Sequence, residues 1–173
     1  GSQNAAGYAY TVAGSVGEAH VVGCGQIHGG NAAGFAVEVS GSISDAFVSP
    51  ALTQDDAGYL GNSNANLSVT GTDSAAGFVL NVDKNGSVST AYTLCAVSSS
   101  GTIEIEKEPE PTEETTEPSE ATDPSEATTA PTEIQKESVV SAYGFAGTNS
   151  GTISRSAANV DLDSGFGFVG VNN

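Results

Sequence analysis

A chain of 173 residues with 21 acidic side chains, four basic ones and a formal net charge of −17 has no cationic patch for nucleic acid or an anionic membrane surface. No apolar run approaches the ~20 residues of a membrane-spanning helix, so this segment is not expected to insert into a bilayer. Ala, Val and Gly dominate, Trp and Met are absent and aromatics reach 6%, which predicts an all-β protein with a thin core and many tight corners.

Gly1-Ser2 has the form of a cloning scar. No signal peptide, lipid box or wall-sorting signal is seen, so export signals are expected outside these residues. From there a short pattern recurs. It reads GYAYTVAGSV from Gly7, GFAVEVSGSI from Gly34, GYLGNSNANL from Gly58 and GFVLNVDKNGSV from Gly77. It returns as GFAGTNSGTI from Gly144 and as GFVGVNN from Gly167. Each copy has glycine, then an aromatic (Tyr8, Phe35, Tyr59, Phe78, Phe145, Phe168), a small or aliphatic residue and a polar turn. Four copies close on Gly, Ser or Thr, and an aliphatic residue (Val16, Ile43, Val88, Ile153), whereas the copy at Gly58 has Ala65, Asn66 and Leu67 there.

Recurrence at about 20 to 27 residues marks stacked units, none of which can bury its apolar face alone. The fold class expected is therefore a β-solenoid of short coils, with the aromatic and the Val or Ile in ladders through a narrow core. Glycine at the corner is expected to supply positive φ, and Asn and Ser to bond their own backbone. A β-sandwich with regular turns is the alternative. Residues 1–103 are assigned to the N-terminal coils and 139–173 to coils completing the same solenoid.

Between them, residues 104–138 hold 12 of the 21 acids and five of the six prolines, with TEPSEAT and TDPSEAT in succession. Such a stretch cannot bury enough apolar surface to offset its ordering entropy, so a disordered, extended loop is expected. An O-glycosylated stalk or a cation sink is the functional alternative.

The stretch from Tyr143 to Asn173 resembles the GLUG repeat, with its Gly-hydrophobic-Val-Gly-x-Asn opening and Gly-Thr-Ile step. Gly147, Asn149, Gly151, Thr152 and Ile153 match, as do Gly170 and Asn172; residues 5–103 match loosely, with Tyr10, Val37 and Leu80 at the fourth-position glycine. GLUG repeats occur in bacterial surface proteins, including large adhesins and IgA-specific metallopeptidases. The resemblance implies an extracellular, cell-surface setting and a β-rich solenoid rather than catalysis.

Metalloprotease chemistry needs a HExxH pair, which His20 and His28 lack. His20, Cys24 and His28 have even spacing that would place three zinc ligands on one strand face, but no fourth follows. GCGQ at 23–26 is one residue short of a thioester motif. Cys24 and Cys95 hold nearly equivalent places in coils one and four, roughly 14 Å apart at ~4.8 Å per step, which predicts two thiols. A bridge between them would favour the sandwich. Asn81, Asp83, Asn85 and Gly86 match the start of a Ca²⁺ loop, but Tyr92 replaces the twelfth-position acid. A longer corner turning at Asn85-Gly86 is the reading, with weak Ca²⁺ binding the alternative and no other cofactor expected. Asp55, Asp56, Asp161 and Asp163 read as solvated loop acids, and no nucleophile elbow or triad context is present. The expected function is a non-catalytic adhesin or rigid spacer whose partner is a host or surface glycan or protein. A fibre subunit forming a homo-polymer, and an accessory region of a large surface peptidase, are the alternatives.

Overall fold

The computed structural model describes residues 3–23, 25–50, 67–107, 135–162 and 164–173, and every regular element among them is a strand. By its contacts the chain divides into residues 1–103 with 139–173, and residues 104–138. Strands Thr102–Lys107 and Gln135–Val140 pair as a two-stranded sheet. Residues 108–134, and with them most of the expected loop, lie outside the described residues.

Every strand register of the larger unit is parallel. Antiparallel hairpins of a sandwich are not what these residues build. Ala9–Val12, Ala36–Val39, Val79–Val82, Ala146–Asn149 and Val169–Asn172 lie side by side as one five-stranded sheet. Ser15–Gly17, Ser42–Ser49, Ser87–Ser99 and Thr152–Ser154 form a second column, with Val16, Ile43, Val88 and Ile153 in register. A third joins Ala5, Ala32, Ala75 and Ala142.

Like residues stack on like, because a parallel pair in register sets identical sequence positions on top of one another. Tyr8, Phe35, Phe78, Phe145 and Phe168 make a continuous column, their rings stacked at 4.7, 4.8, 4.9 and 4.8 Å. Phe35, Phe78 and Phe145 are fully buried. Each gains ~1.5–3 kcal/mol from burial and ~0.5–1.5 kcal/mol per ring contact. Val12, Val39 and Val82 add a buried column beside the rings.

Two expectations are corrected. The rung of Phe35 lies directly against that of Phe78, with Ala36 paired to Val79, so no ring stands between them. The copy at Gly58 and Tyr59 lies outside the described residues, and its sequence lacks the Gly-Ser-Ile closure that starts the next face. Nor do the repeat glycines serve positive φ. Among the described residues the glycines with left-handed φ are Gly23, Gly25 and Gly165, none at the repeat position. A Cβ at Gly7, Gly34, Gly77 or Gly144 would instead run into the carbonyl oxygen of Gly34, Gly77, Gly144 or Gly167 on the next rung. Close approach of two backbones is what excludes a side chain there.

At Asp83–Gly86 the two extra residues make a turn. The Gly86 N–H donates to the Asp83 carbonyl at 2.7 Å and the Lys84 N–H to the Asp83 carboxylate at 2.6 Å. Ser87 then resumes the register opposite Ser42.

Candidate functional site

Four rungs turn a second corner through a non-glycine residue in the left-handed region: Glu18 (φ 52°), Asp45 (49°), Thr90 (51°) and Arg155 (48°). They follow Gly17, Ser44, Ser89 and Ser154, which are in register. Left-handed backbone costs an L-residue about 1–2 kcal/mol. Four such residues in one column, where glycine would relieve the strain, mark a place where side chains are retained against stability.

Beyond the corner the side chains alternate. Val21, Val48 and Thr93 are in register, and Val48 and Thr93 are wholly buried. His20, Phe47, Tyr92 and Ala157 face the other way on successive rungs. His20 stacks on Phe47 with ring centroids 3.9 Å apart. Ala46 and Ala91, 2% and 3% exposed, floor the space between the corner column and the ring column. The result is a groove of about 670 Å3, within the usual size range of small-ligand sites. Small floor residues between two walls of larger ones are what make it concave.

Along the groove the charge changes sign. Glu18 and Asp45 stand at one end, Thr90 in the middle, and Arg155, the sole arginine of the chain, at the other. On the next rung the position of Tyr92 is taken by exposed Ala157. The Tyr92 hydroxyl is shut off from solvent and has no hydrogen-bond partner among the described residues, a state that costs ~1–3 kcal/mol.

The candidate residues singled out from sequence are scattered by comparison. His20 lies in the groove, while His28 pairs with Thr70 on another strand, and Cys24 lies outside the described residues. Among the described residues no three His, Cys, Asp or Glu side chains gather to hold a metal. Gln26 of the GCGQ stretch donates to the Thr70 hydroxyl at 3.1 Å. Asn81 sits mid-strand opposite Glu38, Asp83 at its turn and Asp161 on an exposed strand position; Asp55, Asp56 and Asp163 lie outside the described residues.

Cys95 is a free, buried thiol, with its sulfur 3.5 Å from the Thr93 hydroxyl and 3.9 Å from the Gly77 carbonyl. Burial pushes it up from 9.0 to about 11, against a smaller lowering from Thr93. Its register differs from the expectation. Gly25 pairs with Leu67, and the next residue, Ser68, with Ala96, so Gly25 and Cys95 stand two rungs apart rather than three.

The groove was missed from the sequence, although its signal is there. After each closing Val or Ile come GEAH, SDAF, STAY and SRSA, a polar residue and then Ala or Ser before the ring position. No family model, curated protein or solved structure matches the chain.

Proposed function

We propose that the larger unit is a segment of a bacterial β-solenoid, displayed on the cell surface as a non-catalytic adhesin or rigid spacer. The observation that carries this reading is the unbroken column of five aromatic rings, each in the same place on its rung. A stack in which each rung contacts only its neighbours extends by repetition, which suits a spacer that holds a binding face away from a wall. The acidic Thr/Pro/Glu composition of 104–138 and the GLUG-like residues from 143 onward support the extracellular setting. Antibodies raised against the purified chain should label intact producing cells, and external protease should remove the label. Signal obtained only after lysis would overturn surface display.

A second reading, end-to-end stacking of copies, is favoured by the outermost rungs. Tyr8 and Tyr10 are 50% and 51% exposed, and Phe168 and Val171 38% and 42%. Sedimentation that shifts to larger species with concentration supports it; a single monomeric species across the range sinks it.

A further inference from the structure

The rungs of the stack are of two kinds. In three of them the residue before the repeat glycine is small (Ala6, Ala33, Ala76) and the third residue after it is larger (Tyr10, Val37, Leu80). In the other two the sizes are exchanged. Tyr143 and Phe166 continue the alanine column, and Gly147 and Gly170 take the strand position. The Tyr143 ring accounts for both glycines: a methyl on Gly147 would lie 3.2 Å from it, and a methyl on Gly170, one rung on, would run into it. Phe166 stacks on Tyr143 with ring centroids 5.4 Å apart and planes 21° from parallel, so it leans over the following rung's strand as Tyr143 leans over Gly170. A second column changes at the same step, where Val12, Val39 and Val82 give way to Asn149 and Asn172. The Asn149 oxygen accepts the Gly151 N–H at 3.3 Å, and its nitrogen donates to the Asn172 oxygen at 2.6 Å. The exposed Asn172 nitrogen donates to no group among the described residues. This ladder runs one way and ends on an open donor.

We infer that the face bearing Phe166, Phe168 and Asn172 takes a β-rung of the second kind, from a chain carrying Gly-aromatic-x-Gly-x-Asn. Its second glycine, opposite Gly170, leaves room for Phe166. Its aromatic extends the ring column over exposed Phe168. Its asparagine oxygen accepts the open Asn172 N–H, and the free edge of Val169–Asn172 pairs with its backbone. The first rung of another copy is the poorer occupant. It would set Tyr10, whose hydroxyl accepts a bond from Asn4 at 3.3 Å, where Phe166 leaves room only for glycine. It would also set Val12 against the Asn172 donor, leaving that donor unsatisfied. The inference narrows the end-to-end reading above and rests on the parallel register alone. Labelling of cells and the stability of the purified chain are separate measurements, and either can fail alone.

The test lengthens the full chain by a second copy of residues 151–173 after Asn173, which supplies the rung at high local concentration. The urea midpoint should rise, and amide exchange at 169–172 should slow about tenfold or more, as a new neighbour closes the edge. An added rung of the first kind, with Phe166→Ala and Gly170→Tyr in the added copy only, should give neither gain. Phe166→Ala in the original rung should restore both gains for that version, measured against the same change in the unlengthened chain. Asn172→Val in the added copy alone should give up part of the midpoint gain. Equal gains from both kinds of rung would hand the face to further copies of this chain and overturn the proposal. So would no gain from either, no restoration by Phe166→Ala, or an undiminished gain with Asn172→Val.

Discussion

Alanine at Gly77 and alanine at Gly167 separate two reasons for a repeat glycine. If the corner required positive φ, both replacements would be harmful alike. A methyl at Gly77 meets the Gly144 carbonyl oxygen, whereas one at Gly167 meets nothing within 4 Å. To admit the methyl at Gly77 the two rungs must part at the corner. The bonds at risk run from Gly77 N–H to Tyr143 O (2.9 Å), Phe78 N–H to Phe145 O (3.1 Å) and Val79 N–H to Phe145 O (3.0 Å). Three bonds at ~1 kcal/mol each, with ~1–3 kcal/mol for overpacking, put the loss for Gly77→Ala at about 4–6 kcal/mol. Gly167→Ala should be neutral, or stabilise by ~0.4–1 kcal/mol by restricting the unfolded chain. Urea unfolding followed by circular dichroism, with slopes compared, measures both. Equal losses at the two positions, or less than ~1 kcal/mol at Gly77, would refute the close-approach argument.

Phe78, fully buried between two rings, should cost ~4–6 kcal/mol on change to Ala, and half-exposed Tyr8, with one ring contact, only ~1 kcal/mol, both read as urea midpoints. Thr90→Gly should stabilise by about 1 kcal/mol, because a β-branched residue at φ 51° is strained and glycine is not; a lower thermal midpoint would contradict this. The folded Cys95 thiol titrates above its unfolded value, so its contribution is whole below pH 9.0 and is lost as pH rises through about 11. The parent should lose ~2–3 kcal/mol more than Cys95→Ala over that window, a difference that cancels the tyrosines common to both. At pH 8 in native buffer Cys95 should resist alkylation and react only on unfolding, as mass spectrometry of the modified peptide would report.

How far the sequence reveals this fold depends on which residues are forced to repeat. The ring column is legible because parallel stacking makes each rung impose its own side chain on the next: Phe35, Phe78 and Phe145 could not be unlike and still pack at 4.8–4.9 Å. The all-β class follows from the same small, Gly-rich composition. The step from Phe35 to Phe78 was not legible. A motif count sees Gly58-Tyr59 as one more copy, whereas hydrogen bonds decide which copies are neighbours. The reason for the glycines was equally hidden, because φ is a local property and the collision with a carbonyl one rung away is not. The groove escaped for the opposite reason: Glu18, Asp45, Thr90 and Arg155 share a backbone state but no side chain.

That contrast bears on where function lies. Inward columns must be uniform, since a change of size or polarity on one rung is felt by both neighbours. A corner column that projects outward is free of this constraint, and glycine there would be the stable choice. Four different polar side chains hold left-handed backbone instead, at about 1–2 kcal/mol each. Stability alone does not account for that column, and neither does stacking. On the display reading proposed above, unlike groups at fixed ~4.8 Å steps are what a ligand larger than one rung would read. Along the column the charge runs from Glu18 and Asp45 to Arg155, the difference such a ligand would meet.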